Sequence, residues 1–200
     1  MPPMPDSRVL ILMRHAEAAH PGGLRDHDRP LSTHGWRDAV AAGQWIRAQV
    51  SAVEAVLCST AARTRQTLQA TGITAPVECV EFVDDLYGGG IDDIVEVISR
   101  APGDARTLLV IGHAPGIPAT AYELATTAQL SSRYSGSDGT ATGQDARTGS
   151  EFASGGAEPA ALQRLRYFSA CAFAVLSSDG GWTEIADRGA SLTDVHHPGD

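Results

Sequence analysis

The amino-acid sequence predicts an α/β fold, a three-layer α/β/α sandwich with a mainly parallel central sheet. Short aliphatic runs alternate along the chain with segments whose apolar residues recur at helical spacing. The aliphatic runs show no polar alternation, as expected of strands that are buried on both faces. With 200 residues, 42% of them apolar and 20% charged, the chain fits a single domain over residues 1–200.

The elements can be placed in order along the chain. Four aliphatic runs predict the main strands, at residues 8–13, 55–58, 77–80 and 107–112. Helical spacing predicts four helices, from a Ser32 N-cap to about residue 50, from a Ser59 N-cap to about 70, over 91–98, and over about 117–126. Two later runs, 172–177 and 182–186, are predicted to add edge or antiparallel strands.

The segment from about residue 127 to 156 differs in composition from the rest of the chain. It consists of Ser, Gly, Thr, Ala and Asp with almost no large apolar residue. Such a segment cannot bury enough surface to offset the entropy lost on ordering, so we predict a flexible surface insertion. An ordered lid over the active site is the alternative, because long loops are often functional.

Charge and composition restrict the partners. A net charge of −9 argues against nucleic acid, although two or three converging arginines could still form a local anion pocket. The longest plainly apolar run, residues 9–13, is too short to cross a bilayer. The three cysteines are widely separated and lack metal-ligand spacing, which indicates core residues in a reducing compartment. We therefore predict a cytoplasmic protein with neither a nucleic-acid nor a membrane partner.

Three motifs directly follow predicted strands. Residues 13–17 contain Arg14 and His15, residues 59–67 contain Arg63, and residues 112–116 contain His113. Each motif alone is weak, but the carboxyl ends of parallel strands meet at the edge where α/β sheets bind ligands. The start of a helix there also offers free N–H groups to a phosphate. We therefore predict that Arg14, His15, Arg63 and His113 surround one tetrahedral anion.

These residue types together support nucleophilic chemistry on phosphorus. The neutral imidazole of His15 can attack a phosphoryl group and become a phosphohistidine. The guanidinium groups of Arg14 and Arg63 can bind the phosphoryl oxygens in forked contacts. His113, if protonated, adds a donor to the developing charge. No metal and no other cofactor is required, and Arg65 is predicted to be solvated on another face of its helix.

The motifs resemble those of the histidine phosphatase superfamily, the phosphoglycerate mutase-like fold, in which a strand ends in Arg-His-Gly or Arg-His-Ala. The runs at residues 28–32 (DRPLS) and 86–88 (LYG) are most similar to phosphohistidine phosphatases of the SixA type. The resemblance implies that His15 is the phosphorylated nucleophile and that Arg14, Arg63 and His113 form the phosphate pocket. It also places Arg29 near that pocket.

The chain also departs from the family pattern. Many members have Ser-Gly before the fifth strand, where this chain has Ala170-Cys171. The larger phosphomonoesterases carry a glutamate general acid after the third strand. The nearest residues here, Glu81, Asp84 and Asp85, do not lie in the expected context. Because an imidazole leaves easily without a proton donor, this favours protein phosphohistidine as the substrate.

Four alternatives remain at this stage. The first is a phosphomonoesterase acting on small sugar phosphates or nucleotides, and the second is a mutase, which the short chain disfavours. The third is a catalytically weak phosphate- or phosphoprotein-binding module, which would have no need of a histidine nucleophile. The last is a metal protein that uses His15 and His113, although the cation of Arg14 beside them would repel a metal.

Overall fold

A computed structural model of the protein describes residues 7–135 and 160–199. Its strands are β1 (Arg8–Arg14), β2 (Ala55–Ser59), β3 (Val80–Val83), β4 (Thr107–Gly112), β5 (Phe173–Ser178) and β6 (Ser191–His196). They form one sheet in the order β3-β2-β4-β1-β5-β6. β1 to β4 are parallel, whereas β5 and β6 pair in antiparallel fashion. The predicted mainly parallel sheet is therefore confirmed.

Helices cover both faces of this sheet. They are α1 (Thr33–Gln49), α2 (Ala62–Thr71), α3 (Ile91–Ser99), α4 (Gly116–Ser135), α5 (Ala160–Leu165) and α6 (Ile185–Arg188). One hydrophobic core lies between the sheet and α3 to α6, and a second lies between the sheet and α1 with α2. These two cores confirm the three-layer architecture.

Strand β1 shows how one aliphatic run serves both cores. Leu10 and Leu12 are buried in the core with α3 to α6, whereas Ile11 and Met13 are buried in the core with α1. Successive side chains of a strand point to opposite faces, so a central strand must be apolar at every position. This requirement explains why residues 8–13 could be predicted as a strand although polar and apolar residues do not alternate there.

The third strand was predicted too early in the chain. Residues Val77–Cys79 form a 3-10 turn, and β3 begins only at Val80. The turn closes with the N–H of Cys79 donating to the carbonyl of Pro76 at 2.8 Å, and it leaves Val77 exposed. Val77, although aliphatic, therefore lies in a surface turn and not in a buried strand.

The strand predicted at residues 182–186 was wrong. Trp182–Glu184 form a 3-10 turn that leads into α6, and the last strand is β6 instead. Trp182 and Ile185 are both buried, and their three-residue spacing suits a helical turn. The indole N–H of Trp182 also donates to the carbonyl of Ala105 at 2.9 Å. This hydrogen bond holds the turn against the loop that precedes β4.

Helix α4 is longer than predicted. It continues to Ser135, so the first part of the predicted insertion is helical. The remainder of that insertion, residues 136–156, lies outside the described residues. The carbonyl of Leu124 accepts a hydrogen bond from the N–H of Ala190 at 3.0 Å, which ties α4 to the segment before β6. Despite its length, neither α4 nor any other helix in the described ranges could span a membrane.

Candidate active site

The sheet brings the three sequence motifs to one edge. β1 and β2 both pair in parallel with β4, with Arg14 opposite Gly112 and Cys58 opposite Ile111. The residues that follow these pairs therefore emerge side by side. The N–H of His15 donates to the carbonyl of Gly112 at 3.0 Å, and the rings of His15 and His113 lie 5.0 Å apart.

The tautomer of His15 follows from its two partners. Its Nδ1 lies 2.7 Å from the carbonyl oxygen of Ala16, and because a carbonyl can only accept, Nδ1 carries the proton. Nε2 then has the lone pair and accepts from Nε of Arg63 at 3.3 Å. The Nδ1 bond orients the ring, so the lone pair of Nε2 is held toward the Arg63 guanidinium.

Arg63 connects the parts of the site. It lies in the first turn of α2 and is buried. Besides Nε, its Nη2 donates to Nδ1 of His113 at 3.2 Å and to Oδ2 of Asp26 at 3.0 Å. Its Nη1 donates to the backbone carbonyl of Asp26 at 2.6 Å. One guanidinium thus contacts both histidines, which is the convergence that the motifs predicted.

Ser59 has a different role from the helix cap that was predicted. It is the last residue of β2, and α2 begins at Ala62 after an Ala61 N-cap. Nδ1 of His113 accepts from Arg63, so Nε2 of the neutral ring carries the proton and donates to the hydroxyl of Ser59 at 3.0 Å. Ser59 therefore orients His113 and does not cap the helix.

Both site histidines are poor bases. Burial lowers the pKa of His15 to about 4, and the positive charge of Arg63 acts in the same direction. Burial, followed by the charges of His15 and Arg63, lowers the pKa of His113 to about 3. Both rings are consequently neutral at pH 7 in the absence of substrate, so His113 offers an N–H there and not a positive charge.

An NMR titration of the histidine rings should detect this shift. We expect the ring signals of His15 to titrate near pH 4 and not near 6.5, because burial and Arg63 disfavour the protonated ring. His15→Ala, which removes those signals, would establish the assignment. A midpoint at or above pH 6.5 would contradict the buried, arginine-facing position of this ring.

Arg14 presents an unsatisfied donor. It is half-buried, and its Nη1 donates to the carbonyl of Phe168 at 2.9 Å. Its Nε is buried and has no hydrogen-bond partner among the described residues. A buried guanidinium donor without an acceptor is costly, and an anion bound beside it would satisfy it. Its charge also contributes to the lowered pKa of His15, so Arg14 acts electrostatically on that ring.

Sequence reasoning missed Asp26 and Tyr87. The Asp26 carboxylate accepts from Arg63, from Nη1 of Arg29 at 2.9 Å and from the Tyr87 hydroxyl at 2.8 Å. The Tyr87 hydrogen bond, followed by that of Arg29, holds the pKa of Asp26 well below its usual range. Arg29 therefore lies beside the pocket through Asp26. Tyr87 lies within the LYG run at residues 86–88 and Asp26 lies just before the run at residues 28–32, but no pattern in the sequence indicates that either residue contacts Arg63.

The three carboxylates considered as general acids lie elsewhere. Glu81 is exposed on β3, Asp84 accepts from the Thr60 hydroxyl at 2.6 Å, and Asp85 pairs with Arg100 at 3.9 Å. Asp26, and none of these three, is the carboxylate that contacts Arg63. Within residues 7–135 and 160–199, no group of three or more His, Cys, Asp or Glu side chains could hold a metal ion.

The site thus places a neutral histidine against a buried arginine at the carboxyl edge of a parallel sheet, an arrangement suited to binding a phosphoryl group. The family model of the histidine phosphatase superfamily (branch 1) matches residues 10–121. The chain belongs to that superfamily.

Relatives agree with this assignment. An uncharacterized protein of Mycobacterium tuberculosis is 39% identical over 187 residues, which cover 93% of this chain and 99% of the relative. A solved structure from Nakamurella multipartitia, described as a candidate SixA phosphohistidine phosphatase, is 46% identical, with a TM-score of 0.79 and coverage of 97% and 98% of the two chains. The phosphoglycerate mutase of Plasmodium falciparum, 17% identical, shares the fold with a TM-score of 0.53 over 97% and 96%. The predicted family and fold are therefore confirmed.

Proposed function

We propose that this protein is a metal-independent phosphatase that removes phosphoryl groups from protein phosphohistidine through a covalent intermediate on His15. The observation that carries the proposal is the orientation of the His15 ring. Nδ1 is committed to the Ala16 carbonyl, which leaves the lone pair of Nε2 beside the Arg63 guanidinium. A neutral nucleophile next to a fixed cation suits attack on a phosphoryl group whose oxygens that cation binds.

The proposed reaction has two steps. First, Nε2 of His15 attacks phosphorus, an N–P bond forms, and the bond from phosphorus to the substrate imidazole breaks. The substrate ring, protonated on its other nitrogen, leaves as a neutral imidazole that keeps the electron pair of the broken bond. Second, a water molecule attacks the phosphoryl group on His15, which releases inorganic phosphate and restores the neutral ring. In both steps Arg14 and Arg63 would bind the phosphoryl oxygens in place of a metal.

The preference for a nitrogen-bound phosphoryl group rests on the lack of a suitable proton donor at the site among residues 7–135 and 160–199. The carboxylate that contacts Arg63 is that of Asp26, and its lowered pKa keeps it ionised near neutral pH. Alkoxide leaving groups need a general acid, which typically contributes on the order of 10²–10⁴ in rate. An imidazole leaves without comparable help. The same pocket should therefore cleave phosphohistidine faster than an alkyl phosphate.

The partners and location that we propose follow from the chain itself. The partner is a phosphorylated protein, and a net charge of −9 disfavours nucleic acid. Cys58 and Cys171 are buried free thiols, and Cys79 is a partly buried one, which is typical of proteins in the reducing cytoplasm.

The deciding measurement compares kcat/KM for a phosphohistidine peptide with that for a sugar phosphate. We expect the peptide to be favoured by about 100-fold or more, since the missing acid penalises only the ester. Both rates should survive exhaustive chelation of divalent metals. Faster cleavage of the sugar phosphate would contradict the proposal, and Asp26→Asn, Asp84→Asn and Glu81→Gln would then be compared to find the acid. Dependence on an added metal would contradict the metal-independent mechanism.

A further inference from the structure

A polar groove lies beside the candidate active site, between α2 and the edge strand β3. It has a volume of about 510 Å³, and its lining includes His27, Thr60, Arg65, Gln66 and Phe82. We call it the α2–β3 groove. Its volume is within the range of ligand sites in proteins and much larger than a phosphoryl group needs.

A chain of contacting side chains connects the groove to Arg63. Nε2 of His27 lies within 3.0 Å of the Thr60 hydroxyl, and the ring of His27 packs against that of Tyr87 with centroids 4.9 Å apart. The Tyr87 ring in turn lies 5.6 Å from Cζ of Arg63. One layer of side chains therefore separates the groove from the guanidinium that faces His15.

The groove also carries one available positive charge. The guanidinium of Arg65 lies 4.7 Å from the centre of the exposed Phe82 ring, and no ion pair is formed by Arg65 within the described ranges. The carboxylate of Asp28, which also lines the groove, is bound by Arg25 at 2.7 Å. A cation stacked on an aromatic ring is attracted to both acidic and apolar atoms of a ligand. Although the chain carries a net charge of −9, Arg65 therefore gives this groove a local positive charge.

Other lining groups suit a polypeptide backbone. The side-chain oxygen of Gln66 accepts from the N–H of Leu31 at 2.7 Å, so its amide N–H groups remain as donors. Gln69 lines the same groove and is exposed. Amide and hydroxyl groups of this kind form hydrogen bonds with peptide N–H and C=O groups regardless of sequence. Together with Arg65 and Phe82, they provide both backbone and side-chain contacts.

We infer that the α2–β3 groove binds the polypeptide segment next to the phosphorylated residue of a protein substrate. Arg65 pairs with an acidic side chain of that segment, and Phe82 contacts its apolar atoms. This inference rests on the proposed function, since it assumes that the phosphoryl group arrives on a protein. It adds that acidic residues beside the phosphohistidine determine which proteins are hydrolysed efficiently.

The test uses three substrates: phosphoramidate, a phosphohistidine peptide with acidic neighbours, and the same peptide with neutral neighbours. The wild-type protein should prefer the acidic peptide, and Arg65→Glu should lower kcat/KM for that peptide by about 10-fold through lost electrostatic attraction. Phosphoramidate, which is too small to reach the groove, should be hydrolysed at an unchanged rate. Arg188→Glu is the matched control, because it makes the same charge change at a residue of α6 that pairs with Glu184 of the preceding 3-10 turn.

The outcomes separate the two proposals. Equal loss on all three substrates, or no discrimination between the two peptides, would overturn the groove assignment while leaving the phosphatase intact. Failure of the wild-type protein to hydrolyse phosphoramidate and both peptides would instead overturn the proposed function. A binding titration with the unphosphorylated acidic peptide tests the groove in either case. Its affinity should fall by a similar factor in Arg65→Glu and remain unchanged in Arg188→Glu.

Discussion

Replacing His15 with alanine should lower kcat/KM for a phosphohistidine peptide by on the order of 10⁴-fold or more. The variant loses the Nε2 lone pair that faces Arg63, and with it the covalent route. Arg14 and Arg63 remain, so phosphate binding should be reduced far less than turnover. The loss should therefore appear in kcat and not mainly in KM.

A quenched reaction on the wild-type protein should trap the intermediate. The trapped phosphoryl group should be labile in acid and stable in base, as a phosphoramidate is, and should map to His15. His34→Ala is the matched control, since His34 is exposed on α1 and pairs with Asp38 at 3.0 Å. Recovery of the label on another residue, or substantial turnover by His15→Ala, would show that His15 is not the nucleophile.

The second large effect is expected for Arg63→Lys, which should lower kcat/KM by about 100-fold or more. The guanidinium of Arg63 contacts His15, His113 and Asp26 at once. A lysine ammonium keeps the charge but cannot reproduce this planar set of donors. Both the position of the nucleophile and the binding of the phosphoryl oxygens should therefore suffer.

Two controls separate this effect from a loss of folding. Arg100→Lys makes the same chemical change at an exposed arginine that pairs with Glu96 on α3 and should leave the kinetics unchanged. The NMR titration of His15 in Arg63→Lys reports on the site without turnover, because a displaced cation alters the pKa of the ring. Wild-type kinetics in Arg63→Lys would place Arg63 outside the phosphate pocket.

The sheet and the positions of the principal residues could be predicted because they depend on local sequence. β4 begins and ends at the predicted residues, since a strand buried on both faces must be apolar at every position. The amphipathic spacing of α3 likewise belongs to the segment itself. His15, Arg63 and His113 could then be brought together because all three follow parallel strands, whose carboxyl ends meet at one edge.

Elements that depend on distant partners were misjudged. The 3-10 turn at Trp182 is stabilised by the Ala105 carbonyl, and α4 is held to the segment before β6 through Leu124 and Ala190. Neither partner is close in sequence to the element that it stabilises. An aliphatic run such as 77–80 is compatible with a strand or a turn, and only its packing distinguishes the two.

Tertiary structure contributed more to the protonation state and orientation of the site residues than to the choice of which residues form the site. The sequence by itself predicted that Arg14, His15, Arg63 and His113 meet at one sheet edge, and contacts join Arg63 to His15 and His113 there. Only the folded chain places Asp26 and Tyr87 against Arg63, because the loops that carry them have no pattern that specifies their path. Burial, which lowers the pKa of His15 to about 4, and the Ala16 carbonyl, which orients its ring, are likewise properties of the packed structure. The sequence therefore predicts which histidine acts as the nucleophile, whereas the neutral, oriented state of that ring results from packing.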